Sequence, residues 1–302
     1  MTPVLLHLDN ALSYQPGLAE QVRAANGREI DAQEIGAHFR LWARHKQIDE
    51  VRGVLRKLPR DPRGTIVFTG SGDFHHVSAL LIERAIEVSD ASQVTIIHFD
   101  NHPDWVRFDR GLHCGSWVSR AARLRGVSQV ITVGVCSRDI HKPESKSADL
   151  SLLQDGLVKM CAYTTDSRQK LDDEWPTIEA LGERGFADFL VRAIAGRNIY
   201  ITIDKDVLRQ SDAITNWDQG RMSLTFLTKL LERILGATRV IGIDVCGDWS
   251  HARFQGSALT KTLKIGESLL DQPWRGRDPF TVGRVNESAN QRLLRQFQTA
   301  GA

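Results

Sequence analysis

A mostly parallel β-sheet covered by helices on both sides is the fold this sequence predicts, from three observations. Short β-branched runs recur along the chain, helix-like segments separate several of them, and the unusual polar clusters stand at the carboxyl ends of the runs. The first run, VLLHLD (4 to 9), is a candidate strand. TIVFTG (65 to 70), VTIIHFD (94 to 100), QVITVGV (129 to 135), NIYITID (198 to 204) and RVIGIDV (239 to 245) are too continuously apolar for a half-exposed sheet and predict strands buried on both faces. LVKMCAY (157 to 163) adds another candidate. VSALLIERAIEV, GSWVSRAARL, TIEALGERGFADFLVRAIAG and SLTFLTKLLERIL carry apolar residues three and four apart, the spacing of amphipathic crossover helices.

The polar stretch from Ser137 to Gln154 predicts a surface loop or excursion. Lys264 to Gly283 has little periodicity and is expected to wrap the surface, with Asn286 capping a last helix through Gln298. A single domain over residues 1–302 is the expectation, because open α/β sheets run to this length around one core.

Charged residues make up 25% of the chain and hydrophobic ones 41%, the balance of an ordinary globular protein. With 39 basic and 37 acidic residues of mixed order, no basic face points to nucleic acid or anionic lipid, so a small molecule is the expected partner. Cys114, Cys136, Cys161 and Cys246 are widely spaced and form no CxxC pair, which argues against a disulfide framework or a thiolate zinc site. The N-terminus lacks a basic lead and a long apolar stretch, and no run suits a membrane span, so a cytoplasmic location is expected.

Ligands of parallel sheets bind beyond the carboxyl ends of the strands. Here TIVFTG leads into SGDFHH, VTIIHFD into NHPDW, NIYITID into KDVL and RVIGIDV into CGDWS. In HFDNHPDW, Asp100, His102 and Asp104 alternate, so on extended backbone all three point one way. One imidazole between two carboxylates suits a first-row divalent ion, and mixed oxygen and nitrogen donors favour manganese or a similar metal. Asp204 and Asp206 repeat the parity. With a histidine from GDFHH, they could hold two ions about 3.5 to 4 Å apart. So many carboxylates gathered without a cation would be costly to bury.

The order of these motifs resembles the arginase and agmatinase family of ureohydrolases, over roughly residues 65 to 250. GSGDFHH is similar to the family's glycine-glycine-aspartate-histidine motif, HFDNHPD to its aspartate-x-histidine-x-aspartate motif, and TIDKDVL to its second aspartate pair. The resemblance implies a three-layer α/β/α arginase-like fold and two divalent metal ions, Mn2+ first among them. Its implied ligands are Asp100, His102, Asp104, Asp204, Asp206 and one of the two histidines of GDFHH. Counting back from the helix start favours His76, with His75 as the alternative, because Phe74 is inserted before the pair. His113 in RGLHCGSW resembles the family's proton-shuttling histidine, a general acid for the leaving amine. Neighbouring Cys114 lacks a readable base and is not the expected nucleophile.

The departure lies in IGIDVCGDW, where Gly247 stands in place of the family's guanidinium-binding glutamate and Asp248 is the next carboxylate that could reach the substrate. Trp105, Trp117, Trp217 and Trp249 cluster near the strand ends, and an indole wall that includes Trp105 and Trp217 could hold a planar or cationic group. Asn216, Asp218 and Arg221 are further polar candidates, ranked below the ligands. The expected activity is hydrolysis of a linear C–N bond in a guanidino or amidine compound. Hydroxide held between two ions would attack the central carbon, with Asp206 and the ions stabilising the intermediate. A metal-dependent amide deacylase and a paralogue without turnover are the rival expectations. Family members often assemble, so a homo-oligomer is open.

Overall fold

The computed structural model describes every residue except 142, 144–146, 166–174, 274–275 and 300–302. Its strands, in chain order, are β1 (Thr2–His7), β2 (Arg28–Asp31), β3 (Trp42–Ala43), β4 (Thr65–Phe68) and β5 (Val94–Phe99), then β6 (Leu112–His113), β7 (Val127–Val135), β8 (Val158–Ala162), β9 (Asn198–Asp204) and β10 (Arg239–Cys246). Eight of them form one sheet in the order β2-β1-β4-β10-β9-β5-β7-β8, with parallel neighbours throughout. β3 and β6 form a separate antiparallel pair.

Period-two alternation builds the two faces. Val4, Leu6, Val94 and Ile96 enter one core, and Leu5, Ile97 and Phe99 enter the other. Helices Gln33–Phe39, His45–Leu55, Val77–Ser89 and Trp117–Ala121 cover the first face. Pro16–Ala24, Ile178–Ile194, Leu224–Ala237 and Pro279–Thr299 cover the second. The result is a three-layer α/β/α architecture, as the alternation predicts. Among the described residues, no helix is long and apolar enough to cross a membrane.

Four elements depart from expectation. β2 has one buried residue in four and no apolar run to announce it, being a polar edge strand. Asn286 lies inside the helix Pro279–Thr299 instead of capping it, and its buried amide exchanges hydrogen bonds with the Ile214 backbone. The stretch Lys264 to Gly283 contains much of a helix, Ala258–Asp271, capped by Ser257. Its buried residue is Lys264, while Leu259, Leu263, Leu269 and Leu270 are exposed, so its apolar pattern is inverted and does not mark the inward face. The Ser137 to Gln154 excursion is partly packed: Ile140 is buried, and Asp149 pairs with Arg107 and Arg123.

β4, β10, β9 and β5 are consecutive in the sheet, although β9 and β10 come more than 90 residues after β5 in the chain. The four polar strand ends therefore share one rim.

Candidate metal centre

β5 ends at Phe99, and the extended backbone carries Asp100 into the rim with both oxygens engaged. Its Oδ2 lies 3.0 Å from His75 Nδ1 and 2.8 Å from His98 Nε2, and its Oδ1 lies 3.5 Å from His102 Nδ1. Asp100 thus stands between two donor groups, one of His75, His98, Asp100 and Asp104, the other of Asp100, His102 and Asp206. Asp104 Oδ2 is 3.1 Å from His75 Nδ1 and accepts the Trp117 indole N–H at 2.7 Å. From β9, Asp204 Oδ2 lies 3.7 Å from His75 Nδ1, and Asp206 Oδ2 lies 2.9 Å from His102 Nδ1. All these carboxylates are buried.

The GDFHH ambiguity has a geometric outcome. Consecutive residues on a helical turn point about 100° apart, so only one histidine can face the carboxylates. His75 does. His76 turns into the opposite side, stacks on Phe39 with ring centroids 4.1 Å apart, and directs Nε2 to the Phe39 carbonyl. The structure therefore corrects the preference for His76 as the residue brought to the cluster.

A hydrogen-bond chain orients His75. Asp244 accepts from the Tyr200 and Ser78 hydroxyls and, at 2.8 Å, from Thr202 Oγ1. With its proton given to Asp244, the Thr202 oxygen is left to accept Nε2–H of His75 at 3.0 Å. That tautomer turns the Nδ1 lone pair toward the carboxylates, as an outer-shell partner does for a ligating histidine. Nδ1 is buried and has no partner in hydrogen-bond geometry. An orphaned imidazole nitrogen among carboxylates fits a divalent cation.

Electrostatics agrees. Burial, followed by the Asp100 charge, raises Asp204 to about 6, and burial with Asp100 and Asp204 raises Asp206 well above the carboxylate range. Burial opposes the imidazolium of His75, yet the carboxylates beside it pull its pKa well above the ordinary value. His102 is raised in the same way, chiefly by Asp206 against the cost of burial. In each case the cluster draws positive charge to itself, and ions would supply it. Together these residues form a candidate binuclear metal-binding cluster.

The cluster floors a cavity of about 770 Å³ lined also by Trp105, His113, Cys114, Cys136, Trp217, Asp218 and Gln272. Of the substrate candidates, Trp105 and Trp217 reach it and Asp248 does not. Asp248 is buried behind the strand ends, where its carboxylate takes the Lys205 ammonium and the Gln15 and Asn290 amides. At Gly247, where the resemblance implies a substrate-binding glutamate, the backbone leaves no room for one. At φ +89°, an added Cβ would lie 2.3 Å from Asp204 Oδ1 and 2.5 Å from Lys205 N, so this backbone admits no side chain.

His113, placed by the β3–β6 pair, lines the cavity with both nitrogens occupied. Nδ1 accepts the Gly115 N–H at 2.9 Å, and Nε2 donates to Glu267 Oε1 at 2.6 Å. Glu267 also accepts the Trp42 indole N–H. Trp217, which also lines the cavity, donates to Asp73, a buried carboxylate shared with Arg40 and Gln272. Asp218 orients His102 at 2.8 Å, whereas Asn216 is spent on Ser250 and Ser71, and Trp249 packs on His251 outside the cavity. Arg221 does not line the cavity.

His98, Thr202, Cys246 and Glu267 belong to this neighbourhood but do not stand out in the sequence. The signal for His98 was present, because 98, 100, 102 and 104 keep one parity. Glu267 carried none, since it comes from the helix whose pattern is inverted.

The chain is similar over 206 residues, at 26% identity, to an uncharacterized protein of Thermotoga maritima, a stretch that is 68% of this chain and 66% of that protein. In structure it is similar to a proclavaminate amidino hydrolase from Streptomyces clavuligerus, with TM-score 0.62 and 15% identity over 99% of this chain and 92% of that one. It is also similar to an arginase from Bacillus cereus, with TM-score 0.58 and 12% identity over 95% and 96% of the two chains. A hypothetical agmatinase from Burkholderia thailandensis gives TM-score 0.55 and 15% identity over 99% and 86%. At these identities the structural likenesses speak for the fold. The arginase family model matches residues 13–247, more than three quarters of the sequence, and on that match the chain belongs to the arginase family.

Proposed function

We propose that this chain is a binuclear metal-dependent hydrolase of linear C–N bonds in a small guanidino or amidine compound. One observation carries the proposal: the ends of β4, β5 and β9 bring His75, Asp100, His102, Asp104, Asp204 and Asp206 to the floor of one cavity. His75, Asp100, Asp104 and Asp204 would hold one ion, and Asp100, His102, Asp204 and Asp206 the other, manganese being the ion that the family resemblance implies. When bound, such ions supply an activated water near neutral pH and stabilise negative charge on the reacting carbon's substituents.

The chain's own residues do the rest. Asp206, engaged by His102, faces the position where that charge develops. Trp217 flanks the floor and holds a flat, cationic head group by stacking, whereas the Trp105 ring is buried in the core behind the cavity and offers no free face. His113 handles the proton of the departing amine, with Glu267 holding its ring.

Urea and ammonia release over a panel of guanidino and amidine compounds, measured with added manganese, is the test. Turnover of at least one member, abolished by Asp100→Ala, is expected. If two ions bind and no panel member turns over, the substrate class is wrong. Acetate released from acetylated amines in parallel assays would identify a deacylase instead.

A further inference from the structure

β10 and β9 pair in register at Cys246 and Asp204, so their last inward side chains meet at the base of the cluster. Cys246 is buried, and its Sγ lies 3.3 Å from Asp204 Oδ2. This sulfur, Asp204 Oδ2 and His75 Nδ1 all lie within 4.8 Å of one another. We propose that Cys246 is a sulfur ligand of the buried ion, so that this position of the centre takes zinc in preference to manganese. The inference rests on the binuclear reading above and refines which metal it uses.

Three observations carry it. First, the donors are close enough for one ion: the thiol sulfur lies 3.3 Å from Asp204 Oδ2, which lies 3.7 Å from His75 Nδ1, and all three atoms are within 4.8 Å of one another. Second, His75 Nδ1 is buried without a hydrogen-bond partner beside the thiol, which separates this cysteine from an ordinary core cysteine. Third, the backbone holds the carboxylate that the thiol touches: Gly247 leaves no room for a side chain against Asp204, and an added Cβ at Gly72 would lie 2.5 Å from Asp204 Oδ2, so Asp204 is packed from both sides.

The chemistry is a substitution without redox change. As the ion enters, the S–H bond breaks, its proton leaves to solvent, and a sulfur–metal bond forms. A thiolate shifts a nitrogen and oxygen site toward zinc and away from manganese.

The test uses the full chain stripped by chelation and reloaded. With cobalt, the wild type should show an intense thiolate-to-metal absorption band in the near ultraviolet. Cys246→Ser should lack it, while Cys114→Ser, which alters the other buried thiol near the cluster, should keep it. Loaded from an equimolar zinc and manganese mixture, the wild type should retain zinc. Cys246→Ser and Cys246→Ala should each shift the zinc to manganese ratio by roughly tenfold toward manganese, the scale on which single groups around a site tune metal affinity.

The wild-type spectrum is informative even where a variant fails to fold. If two ions bind but the band is absent and the ratio is unmoved, thiol ligation is overturned and the binuclear reading stands. If the wild type binds no ion at all, both fall.

Discussion

The floor and the wall of the cavity are built on opposite principles. On the floor, donors come from consecutive strands whose register is set by backbone pairing, and, apart from the exposed Asp218 beside His102, the side chains that lock them are buried. On the wall, His113 comes from a two-residue strand and is held by one glutamate, from a helix whose leucines face outward. A floor of this kind holds charge in fixed places, while a wall of this kind can be altered without disturbing the floor. Gly247 and Glu267 express the same contrast, the first closing the position of an expected carboxylate and the second bringing another carboxylate to His113 from a different element.

Breaking the floor should have the largest effect. Asp204→Ala is expected to abolish ion loading, measured by elemental analysis, and turnover with it. Stripping ions from the wild type should lower its Tm by several degrees, reversibly on reloading, because ions that bind the folded chain stabilise it by mass action. An unchanged Tm would mean that the cluster holds no ions in solution.

Next comes the chain behind His75. Asp244→Asn leaves the fold and the ligand set in place but weakens the acceptor for Thr202, so metal affinity should fall by roughly 10- to 100-fold. Competition against a chelator of known affinity checks this, and unaltered affinity would remove Asp244 from the ligand-orienting chain.

The wall should respond differently. Glu267→Gln is expected to reduce turnover by roughly tenfold, as loss of an orienting partner of a histidine does, with metal content unchanged. Loss of ions in this variant would show that floor and wall are not separable.

The smallest effect is expected at His76. His76→Phe keeps the stack on Phe39 and loses one hydrogen bond to its carbonyl, a cost of about 1 kcal/mol, with ion loading intact. His75→Phe should lose the ions. The reverse result would restore His76 as the ligand.

Much of the floor was legible because its carboxylates and imidazoles crowd immediately beyond buried strands. The extended backbone that their shared parity presumes does not continue there, since Asp206 sits in the 3₁₀ turn Lys205–Val207 and Asp104 has φ +50°. The choice between His75 and His76 was not legible, since it depends on how the 3₁₀ turn Gly72–Phe74 enters the following helix, a rotation of about 100° per residue. Asp248 was misplaced for a similar reason. Nearness along the chain to Gly247 does not reveal that a buried lysine waits behind the strand.

Local pattern was enough for the layered α/β/α class, the buried strands, and the side chains these strands offer at their carboxyl ends, because apolar content acts over a few residues. Which ends meet was decided by tertiary structure. β9 and β10 insert between β4 and β5, and that insertion places Asp204 and Cys246 beside His75 and Asp100. The same holds for the helix Ala258–Asp271, whose inward face is chosen by the Lys264 bonds to the His38 and Trp42 carbonyls and by the Glu267 pair with His113. Contacts between residues distant in the chain override an apolar pattern that, taken alone, would have turned the helix the other way.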